Sequence, residues 1–275
     1  MQEGTEVERG SPEKISSDSL ILVYRDRRRR WLIRPRDTPR LHTHLGILDV
    51  SSLVGREYGI TVETTLGDAL TILKPTIEDL IMKLARKTQV VYPKDLGLIV
   101  VKLGVHSGSR VIETGTGSGA TTALLAYLVQ PSGMVFTYEI RPEFQEVARK
   151  NLEKVGLIKF VSFNTGDSKL GFRETGMDAG VLDVGDPWEV VRSMKLSLKP
   201  AAPMVAITPT TNQAERLVEK MKEEGFVAIE SMEVLLRNLE ARPGMTRPSN
   251  RMVGHTAYLT FGRNSALPEK TSQEF

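Results

Sequence analysis

The chain has 275 residues, a net charge of +3 and no cysteine. This length allows one large domain, or a main domain with a smaller one, and the composition is that of a soluble globular protein. The lack of cysteine excludes disulfides, thiolate metal sites and cysteine nucleophiles, and a cytoplasmic location is expected. No apolar run reaches the roughly 18 residues of a membrane span, and the polar first residues are not those of a signal peptide, so no membrane partner is expected.

The first quarter of the chain predicts a small β-domain. Residues 1–18 are polar and predict a flexible tail. Over 19–74, short apolar segments (LILVY, WLIRP, the run His42–Val50 and YGITVETT) alternate with turns, as in a small all-β unit. His42 and His44 share one face of the third segment. No third ligand is near them, so packing or surface histidines are favoured and no metal is expected.

Arginines are concentrated in this same region. Eight of them fall within sixteen residues, with Trp31 among them: Arg25, Arg27, Arg28, Arg29, Arg30, Arg34, Arg36 and Arg40. Such density suits contacts with nucleic-acid phosphates. A hairpin with a solvated basic face is the alternative, and charge alone favours neither interpretation.

The rest of the chain predicts a larger α/β domain. Residues 75–92 predict a helical linker, with a helix over 75–87 capped by Thr76. Over 93–263, strands and helices alternate as a doubly wound sheet requires. The runs 226–236 and 255–261 predict an antiparallel pair that closes the sheet. Residues 264–275 predict a polar tail.

The sequence VIETGTGSGATTALLA, at 111–126, predicts a strand, a tight turn and a helix. Its three glycines alternate (Gly115, Gly117 and Gly119), so the backbone can take positive φ and approach a ligand closely. The dinucleotide fingerprint spaces its third glycine differently. The alternating form after Glu113 is typical of S-adenosylmethionine (SAM) methyltransferases, and Glu139, at the end of the next strand, is placed to accept the ribose hydroxyls of a bound nucleoside.

Four acidic residues end four successive predicted strands. They are Glu113, Glu139, Asp167 and Asp183. Ligands of open α/β sheets lie outside the carboxyl ends of the strands, where the strand order reverses. Each acid alone is more often a loop residue or a helix cap, but the four together predict one site.

Five segments of the chain carry a resemblance to a known family. They are TQVVYPKDLGLIV, RVIETGTGSGATTALLA, YEIRPEF, VLDVGDPWEVV and VGHTAYLTF. Together these segments resemble the tRNA (adenine-58-N1)-methyltransferases of archaea and bacteria, over roughly residues 19–261. The resemblance implies an α/β fold with the class I methyltransferase Rossmann-like sheet, an antiparallel last strand and the small N-terminal β-domain.

The resemblance also implies roles for individual residues. The residues expected to bind SAM are Glu113, Gly115, Gly117, Ser118, Gly119, Ala120, Thr121, Glu139, Phe144, Asp167 and Asp183. Among them, Glu139 would hold the ribose, Phe144 would flank the adenosine and Asp167 would meet the adenine amino group. Asp183 matches the family's catalytic aspartate and Tyr92 the residue beside the target base. The implied partners are tRNA and three further copies of the chain in a homotetramer.

The implied reaction transfers a methyl group to N1 of a tRNA adenine that is flipped out of its stack. Asp183 would hold the base, with Asp186 as the competing candidate. Tyr92 is either a base-stacking residue or a core aromatic, and Trp188 is expected to pack in the core. Two rival functions remain: a protein (isoaspartyl-type) or small-molecule methyltransferase, and a non-catalytic tRNA-binding subunit.

Overall fold

The structure is a computed structural model and describes residues 13–265. The predicted tails therefore lie largely outside the described residues. Within those residues the chain forms two compact units, which divide in the sequence between Lys83 and Leu84. Each unit has its own sheet and its own core.

The first unit is built from short antiparallel strands. They are β1 (Ile21–Tyr24), β2 (Arg30–Ile33), β3 (Arg40–Thr43), β4 (Gly46–Asp49), β5 (Thr61–Glu63) and β6 (Ala69–Leu73), followed by helix α1 (Ile77–Met82). Four strands form a sheet in the order β2-β1-β6-β5, and β3 pairs with β4. Alternate side chains of these strands, among them Ile21, Val23, Leu70 and Ile72, form the buried core.

Three predicted boundaries in and after this unit differ from the structure. Ile15, inside the predicted tail, is buried in the core, because its backbone pairs with Gly55 and Arg56. The predicted run His42–Val50 is a hairpin, in which Gly46 takes a φ of +103° at the turn. Helix α1 ends at Met82, so the helix predicted over 75–87 is too long.

The second unit contains a seven-stranded sheet. Its strands are β7 (Arg110–Thr114), β8 (Met134–Glu139), β9 (Val161–Thr165), β10 (Ala179–Leu182), β11 (Pro203–Thr208), β12 (Phe226–Glu233) and β15 (Tyr258–Asn264), and a short hairpin of β13 (Leu239–Glu240) and β14 (Arg247–Pro248) precedes β15. The order is β12-β15-β11-β10-β7-β8-β9. The strands β7 to β11 are parallel, and β15 runs antiparallel to both β11 and β12. The expected class I sheet with its antiparallel last strand is confirmed.

Five helices belong to this unit. They are α2 (Pro93–Leu103), α3 (Ala120–Val129), α4 (Pro142–Val155), α5 (Val191–Ser197) and α6 (Thr211–Glu223). The bounds of α4 follow from local chemistry, because Pro142 is at its first turn and Gly156, with a φ of +77°, ends it. Asn264, which the sequence assigns to the tail, instead ends β15, where its amide donates to the carbonyls of Lys195, Leu198 and Lys199.

The strand order reverses between β7 and β10. Chain connections leave these two neighbouring strands in opposite directions, to β8 on one side and to β11 on the other. Beyond the first residues after each strand the two connections therefore diverge and leave a crevice at the carboxyl edge of the sheet. The glycine loop and Asp183 are both at this point.

Candidate active site at the carboxyl edge of the sheet

The glycine loop after β7 packs directly against the loop after β10. Gly115 has a φ of +90°, and a Cβ atom on it would lie 1.9 Å from the carbonyl oxygen of Asp183. The Asp183 amide donates to the Thr114 carbonyl at 2.9 Å. A residue with a side chain cannot replace Gly115 unless the Asp183 backbone moves. The absence of a side chain at Gly115 therefore allows the close contact that positions Asp183.

Glu139, at the end of β8, binds the same loop from the other side. One carboxylate oxygen accepts the Gly117 amide at 3.1 Å, and the other accepts the Arg141 amide at 3.1 Å. The residue is 4 % exposed and lines the cavity. The Arg141 Nε atom also donates to Glu139, at 3.4 Å. A carboxylate has about four lone-pair sites, so these three bonds orient Glu139 and leave capacity for a further hydroxyl donor.

Glu113 is buried behind the glycine loop. Its Oε2 atom accepts the Thr122 hydroxyl at 2.7 Å, and its buried Oε1 atom has no hydrogen-bond partner among the described residues. Burial, followed by the charges of Asp183 and Glu139, raises the pKa of Glu113 to about 7. Glu113 supports the loop from inside the protein and does not face the cavity.

Asp183 follows β10 and faces the cavity. Burial, together with the negative charge of Glu139, raises the pKa of its carboxyl to about 6. The side chain is therefore mostly ionised at neutral pH, yet it is poorly solvated. A carboxylate in that condition interacts strongly with a developing positive charge.

These residues surround a cavity of about 630 Å³, within the range of small-molecule sites. Of the residues expected to bind SAM, those that line it are Gly115, Gly117, Glu139, Asp167 and Asp183. The other six do not line it: Glu113, Ser118, Gly119, Ala120, Thr121 and Phe144. The strand-end acids thus separate into three that line the cavity and one, Glu113, behind it.

Ser118 has a different contact from the expected one. Its hydroxyl accepts the amides of Lys87 and Thr88 and bonds the Thr88 hydroxyl at 2.9 Å. Asn151 also holds this stretch, because its side chain bonds both backbone groups of Ala85 and donates to the Ser118 carbonyl. Ser118 therefore attaches the segment before α2 to the glycine loop, and this attachment explains why no helix continues to residue 87.

Phe144 lies in α4 beside the cavity rim. The Arg141 guanidinium stacks over its ring, 4.0 Å from the centroid. Ile140, which is 61 % exposed, and Arg141 line the cavity in its place. Ile140 therefore offers an apolar surface on which an adenine ring could lie. The sequence predicted this role for Phe144.

The far half of the cavity comes from segments distant in the sequence. Tyr92, the N-cap residue of α2, lines this half together with Asp95 and Thr256. Asp95 and Thr256 belong to two of the segments that carry the family resemblance, but the sequence pattern predicts no role for either residue. Their hydrogen-bonding partners are recognisable only in three dimensions.

His255 connects two further segments of this half. Its ring nitrogens lie 2.6 Å from a Glu233 carboxylate oxygen and 2.8 Å from the Pro209 carbonyl oxygen. The bond with Glu233, followed by that with Pro209, raises the pKa of His255 above its ordinary value. Two acceptors favour the doubly protonated ring, which donates to both.

Asp186 and Trp188 differ in their surroundings. Asp186 is exposed at the cavity rim, 3.8 Å from the Lys169 ammonium group. Trp188 is 8 % exposed, as the sequence predicts, and the Arg216 guanidinium stacks on it at 4.2 Å. Trp188 therefore belongs to the core.

Most of the arginines of the cluster over 25–40 are paired within the first unit. The five with partners are Arg25, Arg29, Arg30, Arg34 and Arg36. Among residues 13–265, no side-chain partner is found for Arg27, Arg28 or Arg40. Asp26 organises the β1–β2 turn, since its carboxylate accepts the amides of Arg28 and Arg29, and bonds from Arg29 lower its pKa to about 2.

Comparison with known proteins identifies the family. The tRNA methyltransferase complex GCD14 subunit family matches residues 69–246. The tRNA (adenine(57)-N(1)/adenine(58)-N(1))-methyltransferase TrmI of Methanocaldococcus jannaschii is 35 % identical, over 92 % of this chain and 98 % of that protein. The chain belongs to the GCD14 family of tRNA methyltransferases.

Two solved structures are similar to this GCD14 family member over nearly its whole length. The tRNA (m1A58) methyltransferase TrmI of Aquifex aeolicus is 32 % identical with a TM-score of 0.79, covering 93 % of this chain and all of that one. A Thermotoga maritima protein described as a SAM-dependent O-methyltransferase is 38 % identical with a TM-score of 0.86, covering 94 % and 97 %. The similarity therefore extends over residues of both units of this chain.

The methyl donor of this GCD14 family member is SAM, and the site fits it. Three glycines with positive φ form the loop, and a Cβ at each of them would lie 3.0 Å or less from another protein atom, so only glycines allow the backbone to take this tight path beside the cavity. Glu139 is oriented by backbone amides and open to the cavity. Among residues 13–265, no cluster of three or more His, Asp or Glu side chains could hold a metal ion, and no helix could cross a lipid bilayer.

Proposed function

We propose that the chain transfers a methyl group from SAM to N1 of adenine 58 of tRNA. The observation that carries the proposal is the pairing of Glu139 and Asp183 on opposite sides of the glycine loop, facing one cavity. The relatives of M. jannaschii and A. aeolicus are named for this reaction. Their similarity spans nearly the whole chain, including the first unit.

SAM would lie between the glycine loop and Glu139. When bound, it supplies an electrophilic methyl group on a positively charged sulfur atom. The backbone of Gly115 and Gly117 would lie close to SAM. Glu139 would accept hydrogen bonds from the ribose hydroxyls, and Asp167 would accept a hydrogen bond from the adenine amino group. Glu113 and residues 118–121, which do not line the cavity, would maintain the shape of the loop and keep Glu139 aligned.

The target adenine would enter the other half of the cavity. N1 lies on the pairing edge, so the nucleotide must be flipped out of its stack, at a cost of about a few kcal/mol. N1 has a lone pair, and no residue needs to remove a proton from it. Asp183 would accept a hydrogen bond from the exocyclic amino group and stabilise the positive charge that the base gains. Tyr92 would lie against the base, since RNA readers stack splayed bases on aromatic rings.

The β1–β2 turn would contact tRNA phosphates. Asp26 holds the turn in one conformation, which leaves the guanidinium groups of Arg27 and Arg28 for other partners. The paired arginines of the cluster have a structural role within the first unit. Of the eight arginines predicted to contact phosphates, only those whose side chains have no partner among residues 13–265, namely Arg27, Arg28 and Arg40, are therefore proposed to do so.

We also propose the homotetramer that the sequence analysis expects. Apolar side chains are exposed in and around the β13–β14 hairpin: Leu235, Leu236, Leu239, Met245, Met252 and Val253. A contiguous stretch with so many exposed apolar residues is unusual for a monomer surface and suits contact with a second copy. Light scattering of the purified chain tests this, and a monomer at micromolar concentration would contradict it. A cytoplasmic location stays a proposal that follows from the tRNA substrate.

Methyl transfer to the oxygen of a small molecule is the second candidate function. The T. maritima relative described as an O-methyltransferase, at 38 % identity, favours it. Tetramer formation and free arginines on the first unit have no evident use in that reaction. Labelled SAM offered with tRNA or with a mixture of small hydroxylated compounds separates the two candidates. A chain that fails to bind SAM at all would instead support the non-catalytic subunit.

Mapping of the methylated nucleoside by mass spectrometry tests the proposal directly. Wild-type protein should convert adenine 58 of unmodified tRNA to its N1-methyl form. Asp183→Asn should lower the rate constant by about 10²-fold or more, because a neutral amide stabilises the cationic base less well. Asp186→Asn is the control on the same loop, and a loss of activity in this variant alone would reassign the catalytic aspartate.

A further inference from the structure

Three side chains join the start of α2 to the segment that leads into β15. The Lys94 ammonium group donates to Asp95 Oδ1 at 2.8 Å, to Thr256 Oγ1 at 2.6 Å and to the Val234 carbonyl at 2.6 Å. Thr256 Oγ1 in turn donates to Asp95 Oδ2 at 2.8 Å. Every proton of the ammonium group and of the hydroxyl is used, so the network closes on itself.

The ion pair of the network is almost completely removed from water. The side chain of Lys94 is 6 % exposed and that of Asp95 is 1 % exposed. A buried ion pair contributes little net stability compared with apolar residues of similar size, because both charges lose their hydration. It does select one geometry, since any other arrangement leaves a buried charge unpaired. The network therefore defines a position more than it adds stability.

The network fixes the start of α2, which lines the half of the cavity that is proposed to bind the base. Asp95 lies in the first turn of α2, and its amide donates to the carbonyl of Tyr92 at 2.9 Å. Tyr92, Asp95 and Thr256 all line the cavity. Within residues 13–265, no hydrogen bond joins the side chains of this network directly to the glycine loop, which instead holds the preceding segment through Ser118 and Thr88.

We propose that Thr256 is a positioning residue for the target adenine: through Asp95 and Lys94 it holds the start of α2, and with it Tyr92, in the place that the base requires. The inference rests on the proposed function, because it concerns the second substrate of the same site. Thr256 can do this because its hydroxyl both accepts from Lys94 and donates to Asp95. Valine has the same shape and can do neither.

Thr256→Val and Thr256→Ser test the proposal in the full-length protein. Thr256→Val should lower kcat for methylation of adenine 58 by about 10-fold or more, since a shift of about 1 Å at a reacting group can cost up to about 10²-fold. SAM affinity, measured by calorimetry, should change by less than about twofold. Thr256→Ser keeps the hydroxyl and should keep most of the activity.

Three results would overturn the proposal. They are a Thr256→Val protein with wild-type kcat, a fall in SAM affinity equal to the fall in kcat, and a serine variant as impaired as the valine variant. If Thr256→Val does not fold, Lys94→Met combined with Asp95→Leu replaces the whole ion pair with apolar side chains, which is often neutral for stability. That variant should unfold like the wild type and still lose kcat. A wild-type protein that binds SAM and leaves adenine 58 unmethylated refutes the proposed function itself.

Discussion

The substitution Gly115→Ala examines the contact between the two loops that form the site. A methyl group at this position would lie 1.9 Å from the carbonyl oxygen of Asp183 and 2.7 Å from its carbonyl carbon. Both atoms belong to the backbone, so no change of rotamer relieves the overlap. The φ of +90° is also unfavourable for any residue with a Cβ.

The cost follows from these two effects. The left-handed backbone costs an L-residue about 1–2 kcal/mol, and overpacking of a close-packed region adds about 1–3 kcal/mol. The free energy of unfolding should therefore fall by about 2–5 kcal/mol. Alternatively, the loop after β10 moves, and Asp183 is displaced by the 1 Å or more that costs about 10²-fold in rate. In this second case kcat falls, whereas an effect on stability alone would leave kcat at the wild-type value in the folded fraction.

Urea denaturation and single-turnover methylation of tRNA measure the two effects separately. Gly97→Ala is the matched control, because a Cβ at Gly97, inside α2, would meet nothing within 4 Å. That control should keep wild-type activity and gain up to about 1 kcal/mol of stability from the better helix former. A Gly115→Ala protein with wild-type stability and wild-type kcat would refute the tight packing of these loops.

Three further predictions concern charge. The rate constant for methyl transfer should fall as the pH drops below about 6, where Asp183 becomes protonated; a rate that is constant between pH 5 and 7 would show that its charge is not needed. Glu113 has a pKa raised from 4.5 to about 7, so the folded state holds a proton that the unfolded chain releases, and stability falls as the pH rises through that window. Denaturation curves at pH 5 and pH 8 measure this fall in the free energy of unfolding, which is on the order of 3 kcal/mol. Glu113→Gln should abolish the fall, whereas the control Glu215→Gln, at an exposed position, should not alter it. Replacing Arg27 and Arg28 by alanine should weaken tRNA binding and reduce the slope of log K against log salt by about 1–2; an unchanged slope would remove the β1–β2 turn from the interface.

Local sequence patterns were enough for much of the second unit. Local chemistry sets bounds of α3 and α4, because Gly119 precedes α3, Pro142 begins α4 and Gly156 ends it. The doubly wound sheet follows from the alternation of strands and helices, and the class I form with its antiparallel last strand is what the family resemblance implies. The SAM chemistry was recognisable from the glycine loop and the acid at Glu139, and the tRNA methyltransferase family was recognisable from five segments taken together.

Long-range contacts decided what the local patterns could not show. Ser118 reads as a loop residue that faces a ligand, but its hydroxyl holds Thr88, 30 residues away. Ile15 lies in a polar stretch and nevertheless packs into the core of the first unit.

The sequence by itself determined which chemistry this protein carries, because glycines, strand ends and helix caps act through their immediate neighbours. The tertiary structure decided which of the acidic residues face the cavity and which support it from behind. It also decided that Lys94, Asp95 and Thr256 form one network, although Asp95 and Thr256 are 161 residues apart. The physical reason is that burial and hydrogen bonding depend on distance in space, and only the folded chain defines those distances.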